Sequence, residues 1–224
     1  MDIEKNINDI RKNIDIAAKK SGRNGGDIAV VAATKYADAD IIRGLSKYNI
    51  NTYGENRVQA FLEKYSAVKG AGQWQFIGQL QTNKVKQIID KVQLIQSLDR
   101  IALAEEIDRQ CALKDMPHID ALIEVNLGGE AQKGGVAVDE LFTFFESVKK
   151  YPHINVRGIM TVMPLTSGNG ENCRNLYLQM KRLYDILRES DKGIDILSMG
   201  MSQDYITAIE CGATMVRLGR VLFM

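Results

Sequence analysis

The sequence predicts an α/β protein in which eight parallel strands and their helices close into a single-domain (β/α)8 TIM barrel. Short apolar runs rich in small and β-branched residues alternate with stretches in which apolar residues recur at helical spacing. The short runs are typical of strands buried on both faces of a parallel sheet, and eight strands separated by helices form the barrel pattern. The predicted strands cover residues 28–35, 51–54, 74–78, 92–97, 119–126, 156–162, 194–197 and 215–218.

A doubly wound open sheet is the alternative topology for the same alternation. It is less favoured because there are too many strands and because no Gly-x-Gly-x-x-Gly turn follows the first one. The 224 residues contain no linker or low-complexity tract, and a barrel of this length is commonly one domain. We therefore expect one domain over residues 1–224, in which residues 1–20 form an amphipathic helix packed on the barrel.

In the first half of the chain, the amino-terminal helix has its apolar residues on one face and ends at a glycine-rich turn over 21–26. The strand that follows closes abruptly on Lys35. Asp38 is interpreted as the N-cap of the next helix. Helices are predicted over 38–47, 57–68 and 82–90.

In the second half, Asp99 is interpreted as the cap of a helix that ends at Leu113. The apolar run 119–126 is the strongest strand signal. A short helix over 203–210, stopped by Gly212, separates the last two strands. Apolar residues at helical spacing predict the two remaining helices within 138–148 and 176–187.

Composition excludes several classes of function. A net charge of +1 predicts neither a nucleic-acid nor an acidic-membrane partner, and no apolar stretch approaches the roughly 20 residues that span a bilayer. Three cysteines without a CxxC pair indicate a reducing cytosol, so we expect a soluble cytoplasmic protein. With two histidines in the chain, we expect neither a histidine-based metal site nor a Ser/His/Asp triad. No exposed apolar helix stands out, so we expect a monomer.

Polar residues collect where the predicted strands end, which is where barrels place their chemistry. Each has a structural interpretation on its own, as a helix cap, a turn residue or half of an ion pair. Because the strand ends meet at one rim, their convergence predicts a functional site there. The set comprises Lys35, Glu55, Asn56, Gln79, Gln81, Asn83, Asp99, Arg100, Asn126, Thr161, Ser198, Ser202, Arg217 and Gly219.

The last two strands end in residues suited to a phosphate group. Ser202 stands at the start of the predicted short helix, whose free N–H groups bind either a capping hydroxyl or phosphate oxygens. Gly219 permits a ligand to approach the backbone closely. Lys35, expected across the mouth, would form a Schiff base with a carbonyl, which together with a phosphate indicates pyridoxal 5′-phosphate (PLP) with Arg217 facing its pyridine nitrogen. A sugar-phosphate aldolase, whose lysine bonds to the substrate itself, is the competing interpretation.

The sequence resembles the pyridoxal phosphate homeostasis proteins, which are grouped with alanine racemase amino-terminal domains. The resemblance covers the chain from the first strand to the end, and it implies a PLP-binding barrel of fold type III. The motifs that carry it are Ala33-Thr34-Lys35, Tyr53-Gly54-Glu55-Asn56-Arg57-Val58-Gln59, Phe76-Ile77-Gly78-Gln79-Leu80-Gln81-Thr82-Asn83-Lys84, Arg157-Gly158-Ile159-Met160-Thr161, Leu197-Ser198-Met199-Gly200-Met201-Ser202 and Val216-Arg217-Leu218-Gly219.

The resemblance also implies roles for individual residues. Lys35 matches the Schiff-base lysine, and Arg217 matches the arginine near the pyridine nitrogen. The phosphate-binding positions correspond to Ser202, Gly219 and Arg220, of which the latter two act mainly through their backbone. A position that lines the cofactor pocket corresponds to Asn56, and a basic rim lysine corresponds to Lys133.

The chain departs from the family pattern at two places. Gln75 stands where family members usually have histidine, so that position offers no proton transfer. The chain ends at Met224 where the family usually has a glycine and a short tail, so we expect a shortened carboxyl-terminal helix.

The function that the resemblance implies is PLP homeostasis and amino-acid balance, with transient PLP-dependent apo-enzymes as partners. An arginine beside the pyridine nitrogen disfavours its protonation, because like charges repel, and this makes the ring a poorer electron sink. We therefore predict no catalytic residue and lean against an enzyme. A PLP-dependent amino-acid racemase is the alternative; Tyr36 and Tyr53 are its nearest acid/base candidates in sequence, and we interpret both as packing residues.

Overall fold

The computed structural model describes residues 3–129, 134–164 and 170–224, and its centre is a closed barrel of eight parallel strands. Neighbouring strands follow the order β4-β3-β2-β1-β9-β8-β7-β5, and β4 pairs with β5 to close the circle. A two-residue strand, β6, pairs with β5 outside the circle. The strands are β1 Ala29–Ala33, β2 Thr52–Glu55, β3 Gln73–Phe76, β4 Leu94–Leu98, β5 Ile119–Asn126, β6 Val136–Ala137, β7 Ile154–Met160, β8 Ile196–Ser198 and β9 Met215–Leu218.

All eight predicted barrel strands are confirmed, and β5 and β9 have the predicted bounds. The doubly wound alternative is wrong, because β1 pairs with β2 on one side and with β9 on the other. An open sheet would leave two edges without a partner strand. Among the strands of the described residues, β6 alone has no predicted counterpart, since two residues are too few to produce an apolar run.

Nine helices surround the barrel in the described ranges, and α1 lies beside α8 and α9. Its buried face is the predicted one, with Ile7, Ile10 and Ile14 at most 4% exposed. No helix of the described residues is both long enough and apolar enough to cross a bilayer. The helices are α1 Ile3–Lys20, α2 Ala39–Leu45, α3 Val58–Ala67, α4 Val85–Ile88, α5 Ile101–Leu113, α6 Leu141–Val148, α7 Glu171–Ser190, α8 Tyr205–Glu210 and α9 Arg220–Phe223.

The two predicted helix caps differ in outcome. Asp38 caps α2, because its carboxylate accepts a 2.9 Å hydrogen bond from the Ile41 N–H. The prediction for Asp99 is wrong, since Arg100 is the N-cap residue of α5 and makes no side-chain cap. The Asp99 carboxylate instead accepts a 2.6 Å hydrogen bond from the Arg100 guanidinium. The last helix, α9, is a single turn.

The inside of the barrel has an apolar layer beneath a polar one. Five buried side chains on five strands pack together in the apolar layer, and they are Val31, Leu94, Leu122, Met160 and Met215. Two residues further along each strand the side chains point to the same face, one step closer to the carboxyl ends. On β4, β5 and β9 those positions are Gln96, Glu124 and Arg217. The fold therefore directs polar groups toward the end of the barrel where the site is predicted.

Candidate binding site at the carboxyl ends of the strands

A cavity of about 150 Å³ opens at the carboxyl end of β9, and five of the six predicted site residues line it. Its walls come from the turn after β1, the loop between β8 and α8, and the junction of β9 and α9. The predicted residues that the structure brings together here are Lys35, Ser202, Arg217, Gly219 and Arg220.

Lys35 lies beside the residues predicted to bind phosphate, so the prediction that it faces them across the mouth is wrong. Strand β1 pairs with β9, and Val31 lies opposite Arg217 in the register. A Cβ atom at Gly219 would come within 3.4 Å of the Ala33 carbonyl oxygen. The reason is closure, because a closed barrel places its first strand next to its last one.

The Lys35 side chain is exposed and available. It belongs to a 3-10 turn, Thr34–Tyr36, that follows β1 directly. Its Nζ lies 5.0 Å from the centre of the Tyr36 ring, and in the described part of the chain no carboxylate lies within ion-pairing distance of it. Tyr36 is 42% exposed, so the packing role predicted for it is wrong. Tyr53 is buried, and its hydroxyl donates to the Ile42 carbonyl, as expected of a packing residue.

Ser202 and the backbone after β9 form a compact set of hydrogen-bonding groups. The Ser202 hydroxyl oxygen accepts from the Gly219 N–H at 3.2 Å and from the Val221 N–H at 3.3 Å. The alternative role as a helix cap is excluded, because α8 begins at Tyr205 and its N-cap residue is Asp204. Both N–H groups donate to Ser202 here; a phosphate group would accept from them in its place and from the Ser202 hydroxyl, and the exposed Arg220 adds positive charge. This donor set fits the phosphate of the predicted cofactor.

The Arg217 guanidinium is buried and bound entirely by neutral groups. It donates a 2.6 Å hydrogen bond to the Ser198 hydroxyl and a 2.7 Å hydrogen bond to the Thr161 carbonyl. Within the described ranges no carboxylate lies within 4.0 Å of it. Burial lowers the pKa of Arg217, while Tyr177, Glu124 and Asp204 oppose that shift. A guanidinium keeps its charge in proteins, so the site carries a fixed cation.

A chain of buried hydrogen bonds continues from Arg217 across the inside of the barrel. The Ser198 hydroxyl donates to the Gln96 carboxamide oxygen at 2.7 Å, and the Gln96 amide donates to the Gln75 oxygen at 2.6 Å. Gln75 is only 7% exposed. The position at which the chain departs from the family histidine therefore lies inside the barrel, at the far end of this chain.

Asn56 is the predicted site residue that the structure does not bring into the cavity. It lines a neighbouring pocket together with Arg57, Gln79 and Lys84. Its backbone N–H donates to the Glu55 carboxylate, and Gly78 packs so closely that an added Cβ would lie 2.4 Å from the Asn56 carbonyl oxygen. Lys133 lies outside the described residues.

The structure adds Glu124, which the predictions missed because it lies within β5 rather than at its end. Burial and, to a smaller extent, the charge of Asp99 raise the pKa of this carboxyl group, Arg217 opposes the shift, and the resulting pKa is about 7. A carboxyl group that titrates near neutral pH therefore lies in the polar layer of the barrel. The sequence signal was an acidic residue between Ile123 and Val125, inside an otherwise apolar run.

Comparison with known proteins gives consistent matches over the whole chain. The family described as "Alanine racemase, N-terminal domain" matches residues 6–224. A pyridoxal phosphate homeostasis protein from Aquifex aeolicus is 44% identical over 216 residues, which cover 96% of this chain and 94% of that protein.

Two solved structures extend the comparison. PipY from Synechococcus elongatus, solved with PLP bound, superposes with a TM-score of 0.81 at 25% identity and covers 93% of this chain and all of its own. Alanine racemase from Corynebacterium glutamicum shares the fold, with a TM-score of 0.70 at 15% identity over 96% of this chain and 61% of its own. The chain belongs to the alanine racemase amino-terminal domain family and, within it, to the pyridoxal phosphate homeostasis proteins.

Proposed function

We propose that this protein binds PLP in the cavity beside β9 and takes part in PLP homeostasis and amino-acid balance. The observation that carries the proposal is the position of an exposed lysine amine, without a carboxylate partner among the described residues, next to hydroxyl and N–H groups after the adjacent strand that suit a phosphate. Membership of the family and the likeness to PipY with its bound PLP support the same ligand.

Different residues of the cavity would bind different parts of the cofactor. The Lys35 amine would hold the ligand covalently, through a C=N bond to its aldehyde carbon formed with loss of one water molecule. The Ser202 hydroxyl, the N–H groups after β9 and Arg220 would hold the phosphate. Bound PLP supplies an electrophilic ring that can take electrons from an amine attached to it. Arg217 would face the pyridine nitrogen and disfavour its protonation, which would weaken that ability.

A carrier role follows from this arrangement. The guanidinium makes the ring a poor electron sink, and the exposed mouth leaves the anchored ligand accessible. We propose that one domain over residues 1–224 acts in the cytoplasm as a monomer, and that it exchanges PLP transiently with apo-enzymes that need it. Racemisation would require an acid/base group opposite the Schiff base, and the tyrosine that lines this cavity is the exposed Tyr36.

The test is to add PLP to the purified protein and record the Schiff-base absorbance at about 420 nm. The complex is then reduced with borohydride, and the adduct is located by mass spectrometry. We expect a pyridoxyl phosphate adduct on Lys35, loss of the band in Lys35→Ala, and an unchanged band in Lys19→Ala, which removes an exposed lysine of α1. A band that persists in Lys35→Ala contradicts the anchor. A sugar-phosphate adduct would support an aldolase, and enzymatic deuterium incorporation into alanine would support a racemase.

A further inference from the structure

Beneath the Lys35 turn lies a buried ion pair. The Lys64 ammonium of α3 contacts the Glu55 carboxylate at 2.5 Å, with side chains 18% and 1% exposed. The ammonium also donates a 2.6 Å hydrogen bond to the Thr34 carbonyl, and the Thr34 hydroxyl donates to the same Glu55 oxygen at 2.9 Å. The second Glu55 oxygen accepts from the Asn56 N–H at 3.2 Å. Every polar atom of this cluster is therefore satisfied by another member or by the backbone.

The cluster joins three segments that are far apart in sequence. Thr34 opens the 3-10 turn that carries Lys35, and its carbonyl also accepts the Ala37 N–H that closes the turn. Glu55 is the last residue of β2. Lys64 reaches both from α3, so a single ammonium group ties the Lys35 turn to the neighbouring strand end.

An ion pair at this depth needs a reason beyond stability. Removing two charges from water costs several kcal/mol per ion, on the order of what their attraction returns, so apolar residues of similar volume often stabilise a protein as well. What the charges add is geometric precision: charge-assisted hydrogen bonds are short and sensitive to angle, so they fix the relative positions of the groups they join. Here the Lys64 ammonium fixes the carbonyl of Thr34, the residue before Lys35.

We infer that Glu55 and Lys64 are positioning residues, which hold the Lys35 turn so that its amine can reach a carbonyl group bound in the cavity. The inference rests on the proposed function and goes beyond it, because it gives two residues outside the cavity a part in placing the Lys35 amine for the covalent step. Lys35 still makes the bond, with loss of one water molecule; Glu55 and Lys64 fix where the amine stands when it does so.

Comparing two ligands distinguishes a positioning role of Glu55 and Lys64 from a role in overall stability. PLP binds through its phosphate, its ring and the bond to Lys35, whereas pyridoxamine 5′-phosphate lacks the aldehyde and binds without that bond. In Lys64→Met, where Glu55 is left without its cation, we expect the affinity for PLP and the rate of Schiff-base formation each to fall by about tenfold or more, as for loss of one charged hydrogen bond. The affinity for pyridoxamine 5′-phosphate should change by less than about twofold.

Two variants complete the design. Lys64→Arg keeps a cation for both oxygen partners and should restore most of the rate of Schiff-base formation. Lys181→Met removes an equally short ion pair, that with Asp185 on α7, and should leave both affinities and the rate unchanged. The melting temperature of each ligand-free variant shows whether it is folded. If Lys64→Met does not fold, Glu55→Gln/Lys64→Met, which leaves no unpaired charge, takes its place.

The outcomes are distinct. Parallel loss of both ligands in a folded variant overturns the inference and leaves a structural role for the pair. Wild-type kinetics in the folded variant overturns it as well. If the wild-type protein itself does not bind PLP, the proposed function fails, and this is seen before any variant is compared.

Discussion

The Arg217 guanidinium donates a 2.6 Å hydrogen bond to the Ser198 hydroxyl, and both side chains are buried inside the barrel. The bond fixes the direction of the bonds that follow, because a hydroxyl that accepts from a guanidinium must give its own proton to another group. That group is the Gln96 oxygen. A cation at the mouth of the barrel is therefore oriented by neutral residues on the strands opposite and beside it.

Replacing either of two buried serines by alanine should have different effects on the free energy of unfolding. Ser198→Ala removes the acceptor of Arg217 and the donor to Gln96, and we expect the free energy of unfolding to fall by about 1–3 kcal/mol. Ser97→Ala removes a buried hydroxyl that has no hydrogen-bond partner among the described residues, and should leave the free energy unchanged or raise it. Urea unfolding measures both. Equal losses in the two variants would contradict the hydrogen-bond assignment.

The proposed phosphate contact of Ser202 predicts a loss that depends on the ligand. Ser202→Ala should weaken PLP binding by about tenfold, because one hydrogen bond to a charged group is worth roughly 1.5–3 kcal/mol. Binding of pyridoxal, which lacks the phosphate, should hardly change. Ser147→Ala on α6 is the control, since the Ser147 hydroxyl lies outside the cavity and donates to the Thr143 carbonyl. Equilibrium titration followed by absorbance tests this, and an equal loss for pyridoxal would place the phosphate elsewhere.

Glu124 predicts a pH dependence of stability. Because burial raises the pKa of its carboxyl group from 4.5 to about 7, the folded state prefers the protonated form. Its contribution is fully present below the unfolded pKa and is lost as the pH rises through about 7. We expect the wild-type free energy of unfolding, relative to that of Glu124→Gln, to fall by up to about 3 kcal/mol between pH 4.5 and 8. Urea unfolding of the ligand-free proteins measures this, and a constant difference would refute the raised pKa.

Replacing either of two glycines by alanine should change the stability in opposite directions. At Gly158 in β7 an added Cβ would lie 1.8 Å from the Ile196 carbonyl oxygen, so Gly158→Ala should force β7 and β8 apart and cost several kcal/mol, roughly at the upper end of single substitutions. Gly44 lies in α2 with nothing within 4 Å of the same position. Gly44→Ala should stabilise the protein by about 0.5–1 kcal/mol, because alanine favours helix. Thermal unfolding compares them, and tolerance of Gly158→Ala would disprove the close approach.

Local sequence patterns were sufficient for most elements of the fold. The strands β5 and β9 have the predicted bounds because each is an apolar run bordered by polar residues or glycine. The helix predicted over 82–90 is instead a 3-10 turn, Thr82–Lys84, followed by the four-residue α4. Four residues are barely one turn of helix, so packing rather than periodicity decides the conformation.

By itself the sequence determined the barrel, the polar rim and the residues that end its strands, because burial period and strand ends are encoded locally. Only the tertiary structure decided which rim residues meet. Closure placed Lys35 beside Ser202 and Gly219 rather than across from them, and it left Asn56 in a neighbouring pocket. The contact of Lys64 with the Lys35 turn likewise exists only after α3 packs against the strand ends. Such contacts join residues distant in sequence, and no local pattern records them.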